Sequence, residues 1–187
     1  MTRALACIEF YGIYAAGVVL GCGVVVRYLR SPNPDVSLKL LRAFGAVIGS
    51  NTTIKGSVFL DNVFRDANCT GDFSHLTIGE NCYIGEAVFF DLAGNITIEN
   101  DVVVSGRVSF ITHADCNRSQ YLSLKFPRKC DGVTVRNGAW LGFNVTVLAG
   151  VTVGRQSVIG AGSVITRDAG PQQVYIGAPA KSVRYIE

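Results

Sequence analysis

Histidine is scarce in this chain. His75 and His113 are the only two in 187 residues, and neither falls in a cysteine cluster. The six cysteines (Cys7, Cys22, Cys69, Cys82, Cys116, Cys130) form no C-x-x-C pair, which argues against a zinc site, and no metal is expected. Cys116 and Cys130 flank one polar loop and are the pair placed to approach each other. Free thiols in a reducing compartment are nonetheless the expectation. Charge is thin as well. Charged residues make up 17% of the chain and the net charge is +3, too mild to argue for nucleic acid. Apolar residues, at 49%, and glycine, at 21, are plentiful. That balance suits one folded β-repeat domain with an appendage.

The repeat is visible near the C-terminus. Val135, Leu141, Val147, Val153, Ile159 and Ile165 are spaced six apart. Four positions after each of the first five come Ala139, Val145, Val151, Ser157 and Ser163. Gly138, Asn144, Gly150, Gln156 and Gly162 fill a turn slot between them. No helix has a period of six, and a simple alternating strand would not keep Gly or Asn in one slot. A short strand, a tight turn and another short strand satisfy all three columns, so that three hexapeptides make one coil of a parallel β-helix. The aliphatic side chain then points inward and stacks on its copies, each contributing about 1.5–3 kcal/mol. The turn slot calls for positive φ, which Gly and Asn tolerate.

The same spacing appears upstream in Ile48, Ile54 and Leu60, then Ile78, Ile84 and Phe90, then, after a slip of two, Ile98, Val104 and Phe110. The 18 residues from Leu60 to Ile78 equal one coil. The stretch is irregular, however, with Asp66 and Asp72 at inward positions, so it is either a distorted coil or a bulging loop. A second interruption, 114–132, is polar, carries Arg118, Lys125, Arg128 and Lys129, and is long for a loop. Long loops on a rigid scaffold tend to be functional. Coils are expected from about Ala46 to Asp168, with a C-terminal tail at 169–187.

Residues 1–45 differ in kind. Ala4 to Val26 is 23 residues with one charge, Glu9. As one helix it would be roughly 35 Å long, against a hydrocarbon core of about 30 Å. Gly17 and Gly21 form a small-xxx-small pair suited to close helix packing. Arg27, Arg30, Lys39 and Arg42 follow, and only Arg3 precedes, a bias that leaves the rest of the chain on the cytoplasmic side. The expectation is a membrane-embedded or membrane-surface helix, placing the protein at the cytoplasmic face of the cell membrane. A buried helix, or a pair broken near Gly21 to Gly23, is an alternative. So is a signal peptide, although no clear cleavage site precedes Arg27. After Pro32 and Pro34, Asp35 to Phe44 reads as a short amphipathic helix stopped by Gly45.

The chemistry concentrates in Phe110-Ile111-Thr112-His113-Ala114-Asp115, in the restart Val133 to Val145 with its Trp140-Leu-Gly-Phe143, and in Ile159 to Asp168 and Gly177-Ala-Pro-Ala-Lys181-Ser-Val-Arg184. Together these resemble the hexapeptide-repeat acetyltransferases, closest to the maltose, galactoside and nodulation O-acetyltransferase branch, over about Ile78 to Glu187. The resemblance implies a left-handed β-helix, a homotrimer with sites between subunits, and acetyl-CoA as co-substrate. It also implies residue roles. His113 falls on the catalytic histidine. Trp140, Gly142 and Phe143 fall beside the thioester and oxyanion, and Asp91 falls near the acceptor sugar. Ala161, Thr166, Arg167, Lys181 and Arg184 fall along the coenzyme cleft. His113 would then be a general base on a sugar hydroxyl, for which an imidazole with a reference pKa of about 6.5 is suited. The apolar N-terminus resembles that of variants acting on cell-surface polysaccharide precursors, which implies a cell-surface polysaccharide or its lipid-linked precursor as acceptor. N-acetylation of an amino sugar and a non-catalytic membrane scaffold are the alternatives. Two histidines cannot supply the three metal ligands of a β-helical carbonic anhydrase.

Overall fold

The computed structural model describes residues 3–187. The hexapeptide columns become three parallel sheets that form the sides of a prism. Sheet A stacks Val47–Ile48, Leu76–Ile78, Ile96–Ile98, Val133–Val135 and Thr152–Val153. Sheet B stacks Thr53–Ile54, Tyr83–Ile84, Val103–Val104, Trp140–Leu141 and Val158–Ile159. Sheet C stacks Val58–Asp61, Val88–Asp91, Ser109–Phe110, Thr146–Val147 and Val164–Ile165. The chain visits A, B and C in turn, once per coil.

Register superimposes the columns. Ile48, Ile78, Ile98, Val135 and Val153 lie one above another in sheet A. In sheet B the ladder is Ile54, Ile84, Val104, Leu141 and Ile159. In sheet C it is Leu60, Phe90, Phe110, Val147 and Ile165. All fifteen are buried, and Phe90 and Phe110 stack with ring centroids 5.4 Å apart. The turn slots take the left-handed backbone that the sequence called for: φ is 69° at Gly138, 59° at Asn144, 79° at Gly150, 54° at Gln156 and 69° at Gly162.

The insertions share one corner. Residues 62–75, 92–95 and 111–132 all leave sheet C before the chain re-enters sheet A. Ile48 pairs with the coil of Ile78 directly, so 62–75 is a loop and not a distorted coil. Asp66 and Asp72 do not point into the core; Val63 and Phe73 are the residues that this loop buries. The longest insertion begins as a hairpin in which His113–Ala114 pairs antiparallel with Lys129–Cys130.

The N-terminal segment corrects the expectation of a single long helix. It breaks at Gly21, φ +90°, into α1 (Arg3–Leu20) and α2 (Gly23–Tyr28). Among the described residues, no helix is long and apolar enough to cross a membrane. The two helices pack against each other and α1 packs against α3 (Pro34–Ala43). Gly17 serves this contact, since a Cβ there would come within 2.5 Å of Phe44 and 2.7 Å of Val25. Glu9, the one charge in the apolar run, accepts hydrogen bonds from Tyr28 Oη (2.8 Å) and Asn33 Nδ2 (2.9 Å). Burial, ahead of the nearby Glu9 charge, pushes the Tyr28 hydroxyl up to about 12. α3 starts on the Asn33 cap with Pro34 in its first turn, and Gly45 follows it at φ +105°. Leu40 and Leu41 of α3 belong to the same apolar core as Ile48 and Ile54, so the helices plug the first coil.

The C-terminal tail is structured. Gln173–Gly177 adds to sheet B beside Val158–Ile159, and Ala180–Tyr185 folds back on it as the sheet's last strand.

Candidate functional site

His113 sits where sheet C ends and the long hairpin begins. Its Nδ1 lies 2.6 Å from Asp91 Oδ2, and its backbone N–H reaches the same oxygen at 3.0 Å. Asp91 was expected near the acceptor. It contacts the histidine ring and is 1% exposed, in the corner lengthened by the two-residue slip. Its Oδ2 also accepts from Thr112 N (2.8 Å), while its Oδ1 accepts from Asn62 Nδ2 (2.7 Å) and Ala93 N (3.2 Å). With five donors around it, the carboxylate is consumed by the protein and has no lone pair directed at a ligand.

These contacts decide protonation. Burial alone pushes Asp91 up, but hydrogen bonds from Asn62, His113, Thr112 and Ala93 outweigh it and hold the carboxyl below its ordinary value. An ionised carboxylate only accepts, so Nδ1 of His113 carries the proton. In the neutral form of the ring Nε2 is then the bare nitrogen, on a side chain that is 26% exposed. A fixed tautomer with an outward lone pair is what a general base requires.

Asn62 was not foreseen. It occupies the start of the 62–75 loop at φ +53°, and its amide nitrogen is 3.4 Å from His113 Nδ1 as well as bonded to Asp91. Because Nδ1 is a donor here, Asp91 is the real acceptor of that amide. Asn62 and Asp91 are 29 positions apart, and only the stacking of coils brings them together. Arg128 was read as a loop charge. It forks between Asp66 (2.8 and 2.9 Å) and Asp115 (2.7 Å), tying the two loops together over the corner. Beside it, Ala114, Asp115, Cys116, Leu122, Lys125, Phe126, Pro127 and Lys129 line a cavity of about 590 Å³.

The other expected residues gather elsewhere. Trp140 stands on the outer face of sheet B, half exposed, with its indole N–H 3.3 Å from Ser105 Oγ. Its register runs through Val158 to Val174 and on to Arg184. Lys181 and Arg184, three apart, would face opposite sides of a regular strand. An extra residue at Val183 shifts the register, so Arg184 opposes Val174 and Lys181 opposes Ile176, on one face. Gly142, Phe143 and Ala161 follow at the corner from B to C. A Cβ on Gly142 would sit 2.7 Å from Ala161 N, so the coils meet there backbone to backbone. Arg107 lies over the Phe143 ring at 5.6 Å. Thr166 and Arg167 lie at the corner from C to A, two coils beyond His113. The corner that carries His113 is opposite sheet B in a three-sided prism. One chain therefore does not bring His113 to Trp140, Gly142 or Phe143.

The repeats match known proteins. Residues 132–167 fit the family described as bacterial transferase hexapeptide (six repeats). A Staphylococcus aureus (strain MRSA252) protein with a provisional acetyltransferase name is 34% identical over 128 residues, 68% of this chain and 64% of that protein. The galactoside O-acetyltransferase of Escherichia coli (strain K12) is 29% identical over 135 residues, 59% of this chain and 64% of that enzyme. The hexapeptide-repeat acetyltransferase of Vibrio cholerae O1 biovar eltor, in a structure complexed with acetyl coenzyme A, shares the fold with a TM-score of 0.74 at 22% identity, covering 88% of this chain and 85% of that one. The repeats at 132–167 and these relatives make the chain similar to hexapeptide-repeat acetyltransferases, and it shares their fold. The chain spans just under two thirds of the length of the Staphylococcus and Escherichia relatives.

Proposed function

We propose that this protein is an acetyl-CoA-dependent O-acetyltransferase acting on a sugar hydroxyl, with His113 as its general base. The observation that carries this reading is the 2.6 Å contact of His113 Nδ1 with a buried Asp91, which leaves Nε2 free to take a proton. The sugar hydroxyl gives its proton to Nε2 as its oxygen attacks the thioester carbonyl, and Asp91 stabilises the imidazolium that forms. Collapse of the tetrahedral intermediate breaks the carbon–sulfur bond, and the imidazolium returns the proton to the departing thiolate. A backbone N–H at Gly142–Phe143 is the proposed oxyanion donor.

Because His113 and the Trp140 face lie on opposite sides of one prism, the reading requires a second copy. We assign the working unit as a homotrimer of left-handed β-helices, in which the His113 corner of one chain meets the Trp140, Lys181 and Arg184 face of the next. Acetyl-CoA then lies in the groove between chains, its phosphates near Arg167, Lys181 and Arg184. His113→Ala should lower kcat by about 10²–10⁴ with the fold and acetyl-CoA binding kept. Mixed trimers of His113→Ala and Trp140→Ala chains should recover activity that neither variant has alone. Wild-type turnover by His113→Ala would end the proposal.

The cell-surface acceptor and the membrane location are parts of the same proposal. α1 exposes Leu5, Ile8, Tyr11, Val18, Val19 and Leu20, at 54–79% of their surface. We assign this face to a cytoplasmic membrane surface, lying on the bilayer and not crossing it. Full-length protein that stays in the supernatant with anionic vesicles would remove the assignment.

A further inference from the structure

The cavity beside His113 has a chemistry of its own. It opens in the 111–132 insertion, and two of its residues, Ala114 and Lys129, pair across the hairpin that carries His113. One wall is apolar, built from Ala114, Leu122, Phe126 and Pro127, with Phe126 67% exposed. The rest of the lining is Cys116 and the charged groups Lys125, Lys129 and Asp115. Asp115 is engaged by Arg128, its Oδ2 accepting at 2.7 Å from a guanidinium shared with Asp66, so the three cations Lys125, Arg128 and Lys129 exceed these two carboxylates by one. Lys125 and Lys129 make no ion pair among the described residues. Segment 114–132 holds four cations against two carboxylates, a net +2 in a chain of net +3. The insertion that carries His113 therefore holds most of the net positive charge of this weakly charged chain.

A neutral sugar does not need two unpaired ammonium groups. Like charges held at the rim of a pocket cost stability until a counter-charge arrives, and they raise the local concentration of anions. The apolar wall meanwhile suits the C–H face of a sugar ring or its aglycone. We propose that this cavity binds an anionic acceptor, a glycoside bearing a carboxylate or a phosphate, with Lys125 and Lys129 as its counter-charges. This rests on the acyl-transfer reading above and deepens it. Lys125 and Lys129 are then specificity-determining residues and not part of the proton transfer.

The experiment uses the full-length protein and three matched probes: methyl β-D-galactopyranoside, methyl β-D-galacturonide and galactose 1-phosphate. Thiol release from acetyl-CoA is measured for each, and binding of each probe alone is measured by titration calorimetry. The expected result is tenfold or greater preference in kcat/KM and in binding for at least one anionic probe. That preference should shrink with added salt and reverse in Lys125→Glu/Lys129→Glu. The uronide and phosphate arms separate the two sources of charge. Equal or better use of the neutral glycoside by an active enzyme would overturn the inference while leaving acyl transfer standing. Absence of thiol release with every probe would count against acyl transfer to these sugars. In that case the binding arm decides, and no preference for charge there would overturn the inference.

Discussion

Replacing Asp91 by Asn isolates one charge in a fixed geometry. The carboxylate takes five donors, three at Oδ2 and two at Oδ1. The amide oxygen of Asn, set in the Oδ2 position, keeps His113 Nδ1, His113 N and Thr112 N supplied. Its NH2 then faces Asn62 and Ala93. Asn62 can flip to offer its oxygen, but the Ala93 N–H cannot, and one buried donor without a partner costs about 1–3 kcal/mol. The tautomer of His113 survives, while the counter-charge for the imidazolium is lost. Opposite unit charges about 4 Å apart attract by about 4 kcal/mol at an effective dielectric of about 20, which caps the catalytic loss near 10³-fold. Since the amide dipole keeps part of the interaction, a loss of about 10² in kcat is expected, with KM for acetyl-CoA unchanged. The assay is thiol release from acetyl-CoA across pH, alongside thermal unfolding. The stability sign follows from the depressed Asp91 pKa. Such a group adds stability above its unfolded value of about 3.9, and that stability is lost as pH falls through the lower folded value. The gap in Tm between wild type and Asp91→Asn should therefore narrow below about pH 4. A folded Asp91→Asn with kcat within threefold of wild type would refute the role given to Asp91.

Phe110→Ala removes a fully buried ring stacked on Phe90 beneath the His113 corner and should cost about 3–5 kcal/mol in denaturant unfolding; a loss below about 1 kcal/mol would mean the sheet C column does not carry the core. Charge reversal at Lys181 and Arg184, which share one face because of the Val183 bulge, should raise KM for acetyl-CoA about tenfold, or about 1.4 kcal/mol. An unchanged KM takes both residues out of the coenzyme path. Gly142→Ala forces a Cβ to within 2.7 Å of Ala161 N and should lower stability by about 1–3 kcal/mol, read as a drop in Tm.

The coils were legible because a hexapeptide is a local device. Side-chain direction, turn φ and burial all repeat within six residues, so Val135 to Ile165 specify their own stacking, and the observed register follows the columns without a slip. His113 could be singled out by its Thr-His setting at the junction of coil and loop. What the sequence could not fix was anything that depends on which coil lies above which. Asn62 reaches Asp91, and Arg128 reaches Asp66, only through the stacking of coils, and the same stacking buries Asp91 in the corner against His113. The apolar N-terminus does not fold as one spanning helix, for a related reason. Hydropathy reports that Ala4 to Val26 avoids water, but not what covers it. Gly21 turns the chain, Glu9 latches Tyr28 and Asn33, and the buried face is spent on α3 and the first coil. The sequence by itself determined the period, the inward column and the turn slot, since these rest on contacts within a few residues. The tertiary structure alone decided that Asp91 orients His113, that Arg128 joins two loops, and that the base and the Trp140 face lie on opposite sides of the prism, because those relations are set by the winding of the chain around three sides.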